Sequence, residues 1–120
     1  NYVLSRPIPR YRVLADRLAR MKRNLDAARM QCWRAGWMAD HGIPNSKEAS
    51  MAKASGGRAA VEACIDAVDI VGAHATLEDG EHALLAKWFR DIKVFDIFEG
   101  TGQIQRVVIS KRLYEGLRGF

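Results

Sequence analysis

The chain has 120 residues, of which 48% are hydrophobic and 28% are charged, and this composition predicts one globular domain. No apolar run reaches the roughly 18 residues that a membrane span requires, and the start has no signal-peptide pattern. The formal charge of +5 suits either a nucleic acid or an anionic small molecule, and composition does not separate these two partners.

The first predicted element is a long helix from about residue 10 to residue 41. Pro7 and Pro9 hold the preceding segment extended, so the helix begins after them. Apolar residues then recur at alternating gaps of four and three, which is the seam of a helix in a left-handed bundle. The residues of this seam are Leu14, Leu18, Met21, Leu25, Ala28, Cys32, Ala35 and Ala39. The opposite face is rich in arginine and is predicted to be solvated.

A second helix is predicted from Asn45 to about Val71. Asn45 followed by Glu48 has the spacing of a capping box at the helix start. The first half of this helix is rich in small residues, which allows another backbone to approach closely. Gly56 and Gly57 each weaken a helix by roughly 1 kcal/mol relative to Ala, so packing should compensate for them.

Two further helices complete the predicted fold. Residues 72–80 form a loop, a third helix runs from about Glu81 to Phe95, and a fourth runs from about Gly102 to Leu117. Four helices with short connections predict an all-α, up-down four-helix bundle. The side chains of the third helix that should face the core are Leu84, Leu85, Trp88, Phe89 and Ile92.

The cysteines and histidines do not have the spacing of a metal site. Cys32 and Cys64 lie within apolar helical patterns, and we predict that both are buried thiols of a reducing compartment. His74 is interpreted as an ordinary polar loop residue. We therefore expect no metal.

The run Ile97–Arg106, which reads IFEGTGQIQR, places a carboxylate where a loop meets a helix start. Burial of Glu99 between its apolar neighbours would disfavour the charged form, whereas the helix N-terminus would favour it. Gly100 allows a ligand to approach the backbone, and Thr101 is a good N-cap. Such a glutamate suits proton abstraction near neutral pH. For the tripeptide EGT alone, a solvated Glu beside a capped helix start is the alternative.

Together with Arg90-Asp91, this run resembles the C-terminal end of the acyl-CoA dehydrogenase family. In that family Arg-Asp is followed by Tyr or Phe, then Glu-Gly-Thr, then Gln-Ile-Gln-Arg. The segments 28–30 (ARM) and 48–53 (EASMAK) match the same family, and the likeness covers the whole chain. The resemblance implies that residues 1–120 are the C-terminal helical domain of a longer chain, here without its N-terminal helical and middle β domains.

The family oxidises acyl-CoA thioesters to 2,3-enoyl-CoA with FAD. The resemblance implies that Glu99 removes the α proton, and that its backbone N–H polarises the thioester carbonyl together with a flavin hydroxyl. Gly100 is then expected beside the substrate. Thr101, Gly102 and Gln103 match positions that contact the FAD of the same subunit. The 120 residues alone are expected to bind no flavin and to be inactive, because the other two domains enclose the cofactor.

The resemblance assigns Arg12 and Gly72 to the FAD of a neighbouring subunit. Gly72 keeps the first Gly of a family Gly-Gly pair, whereas several other positions on this side depart from the family. Arg12 stands in place of a Gln, and it would offset part of the charge of an aspartate at position 69. That carboxylate would repel a pyrophosphate by about 4 kcal/mol at about 4 Å and an effective dielectric constant of about 20. The other departures on this side are Asn1, Val3, Asp69 and Ala73.

Two assemblies remain open from these departures. One is a homo-oligomer, a dimer or tetramer, that tolerates the substitutions. The other is a hetero-oligomer with one active site per unlike pair. The remaining expected partners are an acyl-CoA and an electron-transfer acceptor, with no membrane, in the cytoplasm or in the mitochondrial matrix of a eukaryote.

Two interpretations without catalysis also stay open. A non-catalytic assembly module would use apolar seams that favour self-association. A DNA-associated branch of the same superfamily would use the basic side chains of the first helix. It is the weaker interpretation, because Asp16 and Asp26 lie among these side chains and no base-reading motif is present. The basic residues concerned are Arg10, Arg12, Arg17, Arg20, Lys22 and Arg23.

Overall fold

A computed structural model of the chain describes residues 11–115, which form four α-helices. The helices are α1 (Arg12–Asp40), α2 (Ser46–Val71), α3 (Ala83–Asp91) and α4 (Gly102–Glu115). Short 3-10 helices, Gly72–Thr76 and Ile92–Asp96, follow α2 and α3. Residues 11–115 contain no strand, so the predicted all-α fold of four helices is confirmed. The predictions for Asn1, Val3, Arg10 and the end of the fourth helix at Leu117 concern residues outside the described range.

Helix α2 is the centre of the fold, since it packs against α1, α3, α4 and both 3-10 helices. The ends of α1 and α2 show that these two helices run antiparallel. Arg17 near the start of α1 binds Asp69 near the end of α2 at 2.8 Å. At the other end, Asn45 Nδ2 donates to the Ala35 carbonyl oxygen at 2.7 Å. No helix within residues 11–115 is long and apolar enough to cross a membrane.

Small side chains form the interior of the described chain. The buried apolar residues are all alanines, namely Ala28, Ala35, Ala52, Ala54, Ala59, Ala75 and Ala86. Many large side chains lie at the surface, and Trp33 of α1 is 62% exposed, whereas others such as Leu85 and Ile92 are half-buried. The fully buried contacts of α2 are therefore made by small side chains.

The predicted inward faces are accordingly wrong in part. On α1 Ala28 and Ala35 of the predicted seam are buried, Leu14 and Met21 are half-buried, and Cys32 is exposed. On α3 the buried residue is Ala86, and this short helix packs against α2. Burial still raises the pKa of the Cys64 thiol, which is half-buried. The α3 residues predicted to be buried but found exposed are Leu84, Trp88 and Phe89.

The start of α2 also differs from prediction. The Asn45 side chain makes no capping hydrogen bond, because its amide reaches the side of α1 at Ala35. Glu48 Oε1 lies 3.7 Å from Arg34 and 3.5 Å from Lys47, so it forms ion pairs rather than half of a capping box. The tight α1–α2 junction therefore replaces the predicted local cap.

The predicted third helix divides into α3 and the 3-10 helix Ile92–Asp96. At this point the chain meets Gly57 of α2. A Cβ atom on Gly57 would lie 3.3 Å from both the Phe95 oxygen and the Asp96 Cα. The packing that the sequence required for the glycine pair is thus present at Gly57, whereas a Cβ on Gly56 would meet nothing within 4 Å.

This asymmetry predicts opposite effects of substitution on stability. Gly57→Val should lower the free energy of unfolding by about 1–3 kcal/mol, because the atoms in the way belong to backbone. Gly56→Ala should raise it by about 0.5–1 kcal/mol through lower entropy of the unfolded chain. Urea denaturation would measure both, with Gly56→Val as the matched control for size. Equal losses for the two Val variants would contradict the observed packing.

Candidate functional site

Glu99 occupies a strained turn between the 3-10 helix and α4. Glu99 has a φ of 55°, and among the described residues it is the one non-glycine residue with a positive φ. Gly100 follows with a φ of 92°. A left-handed conformation costs a residue with a side chain roughly 1–2 kcal/mol. Such strain persists only where the surroundings fix the backbone, and it is enriched at functional sites.

Three hydrogen bonds fix this turn. The amides of Ile97 and Phe98 both donate to the Val94 oxygen at 3.0 Å, which closes the preceding turn. Beyond it, Gln105 Nε2 donates to the Glu99 carbonyl oxygen at 3.2 Å. The sequence motif contained Gln105 but gave it no role, and the structure shows that its amide reaches back over Gly100 to hold residue 99.

The glycines of the motif lie against the ends of two side chains, and Gly100 is further favoured by its φ of 92°. A Cβ on Gly100 would lie 2.6 Å from Gln105 Nε2. A Cβ on the buried Gly102 would lie 2.6 Å from the Asp96 Oδ1 atom. Within the described residues, Gly100 and Gly102 are therefore approached by side chains of this domain, and the predicted approach of a ligand to Gly100 is not what fills that space.

Thr101 is the N-cap of α4, as predicted. Its Oγ1 accepts a hydrogen bond from the Ile104 amide at 3.3 Å, and its carbonyl oxygen accepts one from the Gln105 amide at 3.0 Å. This N-cap satisfies one of the free amides of the first helical turn. The carboxylate of Glu99 consequently lies just before a positively polarised helix terminus.

The predicted burial of Glu99 is wrong for this domain. Glu99 is exposed, and its neighbours Ile97 and Phe98 are 54% and 45% exposed. All three side chains lie at the surface, because the elements of residues 11–115 do not cover this turn. The site is thus an exposed turn at Glu99, here called the platform, and its exposed neighbours Ile97 and Phe98 are its apolar rim.

Two charged side chains that the sequence analysis missed lie under this platform. Lys53 of α2 donates to the Phe95 oxygen and lies 5.2 Å from the centre of the Phe98 ring. Asp96 binds Lys93 Nζ at 2.5 Å, and this hydrogen bond lowers the pKa of the Asp96 carboxyl, with Lys53 contributing. The sequence signal was the EASMAK segment, which contains Lys53 but does not show its tertiary contact.

The predicted residues fall into two groups at separate places. Lys53 lies below the Glu99 turn, whereas Gly72 ends α2, 19 positions further along the helix. At about 1.5 Å per residue, this separation along α2 is about 28 Å. Arg12 begins α1, which is at the Gly72 end. Glu99, Thr101, Gly102 and Gln103 are therefore brought together, and Arg12 and Gly72 are not part of that cluster.

The negative charge of Asp69 is compensated by a residue other than the expected Arg12. Arg12 Nε lies 4.0 Å from the Asp16 carboxylate, and both side chains are highly exposed. Asp69 is bound instead by Arg17 at 2.8 Å. The prediction that Arg12 offsets Asp69 is thus wrong, because Arg17, five residues further along α1, lies level with Asp69 and binds it.

The basic face of α1 is largely paired with acidic residues. Arg20 binds Asp66 at 2.8 Å, and Lys22 binds Asp26 one turn along the helix. With Arg12 and Arg17 also paired, this face resembles a network of ion pairs and not a row of free cations. Within residues 11–115, no group of three or more potential ligands could hold a metal ion.

The start of α4 presents donors that suit an anionic, hydrogen-bonding cofactor. Gly102 and Gln103 contribute backbone amides at a helix N-terminus, and the Gln103 side chain is exposed. Phosphate and carbonyl oxygens of a flavin dinucleotide require donors of this kind. The absence of a Cβ at Gly102 permits the tight junction with Asp96 that keeps this terminus in place. The exposed Gln103 is a donor of the kind that FAD accepts, whereas Gly102 is buried against the Asp96 carboxylate.

Comparisons with known proteins agree on one family. The family model described as "Acyl-CoA dehydrogenase, C-terminal domain" matches residues 3–114. An acyl-CoA dehydrogenase of Bacillus subtilis is 40% identical over 112 residues, covering 93% of this chain and 29% of the relative. The human mitochondrial short-chain specific acyl-CoA dehydrogenase is 33% identical over 123 residues, covering 98% of this chain and 29% of the relative.

A solved structure gives the same result at the level of the fold. The structure described as "PigA with FAD and proline" superposes with a TM-score of 0.88 at 27% identity, covering 99% of this chain and 30% of that chain. The chain thus spans about 29% of the length of the curated relatives that it matches.

Proposed function

Since the chain belongs to the acyl-CoA dehydrogenase family as its C-terminal helical domain, we propose that it serves a longer FAD-dependent enzyme that dehydrogenates an acyl-CoA thioester between its α and β carbons. The observation that carries this proposal is the Glu99 turn. A strained backbone presents a carboxylate on an apolar rim, directly before the capped start of α4. Such a carboxylate is placed to reach a ligand that covers the rim.

Glu99 acts as the base in this proposal. Its carboxylate takes the α proton, and the electron pair of that C–H bond forms the α,β double bond as the β hydrogen departs with its own pair. FAD, when bound, supplies the acceptor for that hydride. The Glu99 backbone amide stabilises negative charge on the thioester oxygen, and the backbone of Gly100 adjoins the substrate, while the Gln105 side chain fills the space where a Cβ of Gly100 would lie.

The residues of α4 hold the cofactor in this proposal. Thr101, Gly102 and Gln103 face the flavin of their own subunit through the amides of the first turn and the exposed Gln103 side chain. Apolar neighbours from the rest of the enzyme would cover Ile97 and Phe98 and exclude water from Glu99. An electron-transfer acceptor then reoxidises the enzyme between turnovers.

The direct test is flavin bleaching in the full-length enzyme. Under anaerobic conditions, a panel of acyl-CoA thioesters that differ in chain length and branching is mixed with the flavoprotein, and flavin absorbance is followed. Bleaching by one class of thioester supports the dehydrogenase and identifies its substrate. Absence of bleaching across the panel, with flavin bound, would contradict it.

Assembly is the second function that the structure favours. Large apolar side chains are exposed on α1 and α3, including Trp33, Trp37 and Trp88. A groove of about 410 Å³ beside Phe98 is lined by small and apolar residues such as Gly56 and Ala60. Surfaces of this type bind other domains or subunits. A non-catalytic module would retain this surface with no need of Glu99.

The oligomer can be homomeric or heteromeric, and the two differ at the Gly72 end. Arg12 and Gly72 would face the flavin of a neighbouring subunit in a homo-oligomer. A hetero-oligomer with one flavin per unlike pair would make this end dispensable, in keeping with Asp69 bound to Arg17. Counting FAD per chain in the purified assembly separates the two, because one FAD per chain in a homotetramer excludes the heteromer.

A further inference from the structure

Lys53 connects the Glu99 turn to the central helix of the fold. It projects from the first third of α2 and is half-buried. Its ammonium donates to the Phe95 oxygen and lies 5.2 Å from the centre of the Phe98 ring. One side chain thereby holds two residues of the segment that leads directly into Glu99.

These two attachments restrict the path of the chain. The rings of Phe95 and Phe98 pack edge to face, with centroids 5.6 Å apart. Because Lys53 holds the Phe95 carbonyl and the Phe98 ring, it fixes the segment between these two residues. A cation over an aromatic face is attracted by the ring quadrupole, and the same cation satisfies the Phe95 carbonyl. Phe98 immediately precedes the residue with φ of 55°, so its position sets where that turn begins.

A compact ammonium is suited to this double contact. Lysine presents a point charge with three rotatable donors, so it can bind a carbonyl oxygen and face a ring at once. A planar guanidinium could reproduce the charge and a donor, whereas a Met side chain would keep the apolar stem only. The ammonium also acts on the Asp96 carboxylate, which packs against Gly57 and Gly102.

We propose that Lys53 is a positioning residue for Glu99, since its ammonium holds the Phe95 carbonyl and the Phe98 ring and thereby sets the direction of the Glu99 carboxylate. Lys53 contacts neither substrate nor flavin in this proposal. The assignment of a catalytic role to Glu99 rests on the function proposed above, whereas the anchoring of the turn rests on the contacts alone.

The test compares Lys53→Met with Lys53→Arg in the full-length enzyme. Lys47→Met is the matched control, because Lys47 lies on the same helix and pairs with Glu48, away from the turn. Hydrogen exchange of the peptide spanning residues 95–101 reports the turn. Flavin content, KM and kcat for the best thioester report the site.

For Lys53→Met we expect faster exchange within 95–101 only, with flavin content and KM unchanged. A displacement of about 1 Å at a reacting group can cost on the order of 100-fold, so kcat should fall by about 10-fold to 100-fold. Lys53→Arg should recover a substantial part of both losses. Lys47→Met should match wild type.

Two results would overturn the proposal. Wild-type exchange and kcat in Lys53→Met would show that the turn needs no ammonium. Faster exchange across α1, α2 and α4 together, with loss of flavin and no rescue by Arg, would show a general folding role. If no thioester in the panel reduces the flavin of the wild-type enzyme, the proposed function fails. Local exchange in Lys53→Met still decides whether Lys53 anchors the turn.

Discussion

Glu99→Gln in the full-length enzyme is expected to slow flavin reduction by a bound acyl-CoA by about 10²-fold to 10⁴-fold, which is the usual contribution of a general base. Glutamine has nearly the size of glutamate but cannot accept the α proton. The turn should survive, because Gln105 holds the backbone oxygen of residue 99, which the substitution retains. Flavin content and thioester binding should therefore remain close to wild type.

Single-turnover mixing under anaerobic conditions isolates this step from reoxidation and product release. Glu62→Gln serves as the control, since Glu62 is a surface residue of α2 paired with Arg58 at 2.7 Å. The control should reduce its flavin at the wild-type rate. If Glu99→Gln also bleaches at the wild-type rate, the base is elsewhere, and the assembly interpretation becomes the stronger one for this domain.

The sequence predicted those features that depend on local chemistry. The prolines before α1 and Asn45 before α2 predicted helix starts close to the observed Arg12 and Ser46. The same is true of Thr101, whose hydroxyl caps α4 regardless of what surrounds it. The position of Glu99 at a loop-to-helix junction likewise followed from the residues beside it.

Features that depend on distant contacts were missed. The end of α3 was placed too late, because the change to a 3-10 helix accompanies the contact of Phe95 and Asp96 with Gly57, about forty residues away in sequence. Lys53 was part of a recognised segment, yet its contact with Phe98 exists only in the folded chain. A helical pattern cannot supply such partners.

Burial was the least predictable property of the site. The periodicity of α3 correctly groups Leu84 and Trp88 on one side, but both remain exposed because the described elements do not cover that side. The exposure of Phe98 beside Glu99 has the same origin. A pattern of apolar residues reports that a face should be covered, and it does not report which segment or subunit covers it.

Two aspartates of α2, Asp66 and Asp69, form ion pairs with arginines of α1. Asp66 is buried and its two carboxylate oxygens accept hydrogen bonds from Arg20 at 2.8 and 2.9 Å. Arg17 Nε lies 3.8 Å from the same carboxylate. By contrast, the Asp69 side chain, which Arg17 also binds, is 55% exposed. The two aspartates therefore differ in burial while sharing a partner.

Asp66→Asn is expected to lower the free energy of unfolding by about 1.5–3 kcal/mol, because it removes charged hydrogen bonds in a buried setting. The lower half of that range is favoured, since the Arg20 side chain is 53% exposed and partly screened. Asp69→Asn, as the matched control, should cost at most about 1 kcal/mol. Urea denaturation of both variants, with a double-mutant cycle through Arg20→Met, measures the coupling directly. Equal losses for the two aspartates would mean that the Asp66 pairs do not hold α1 to α2, and that the contacts of small side chains such as Ala28 and Ala59 do so alone.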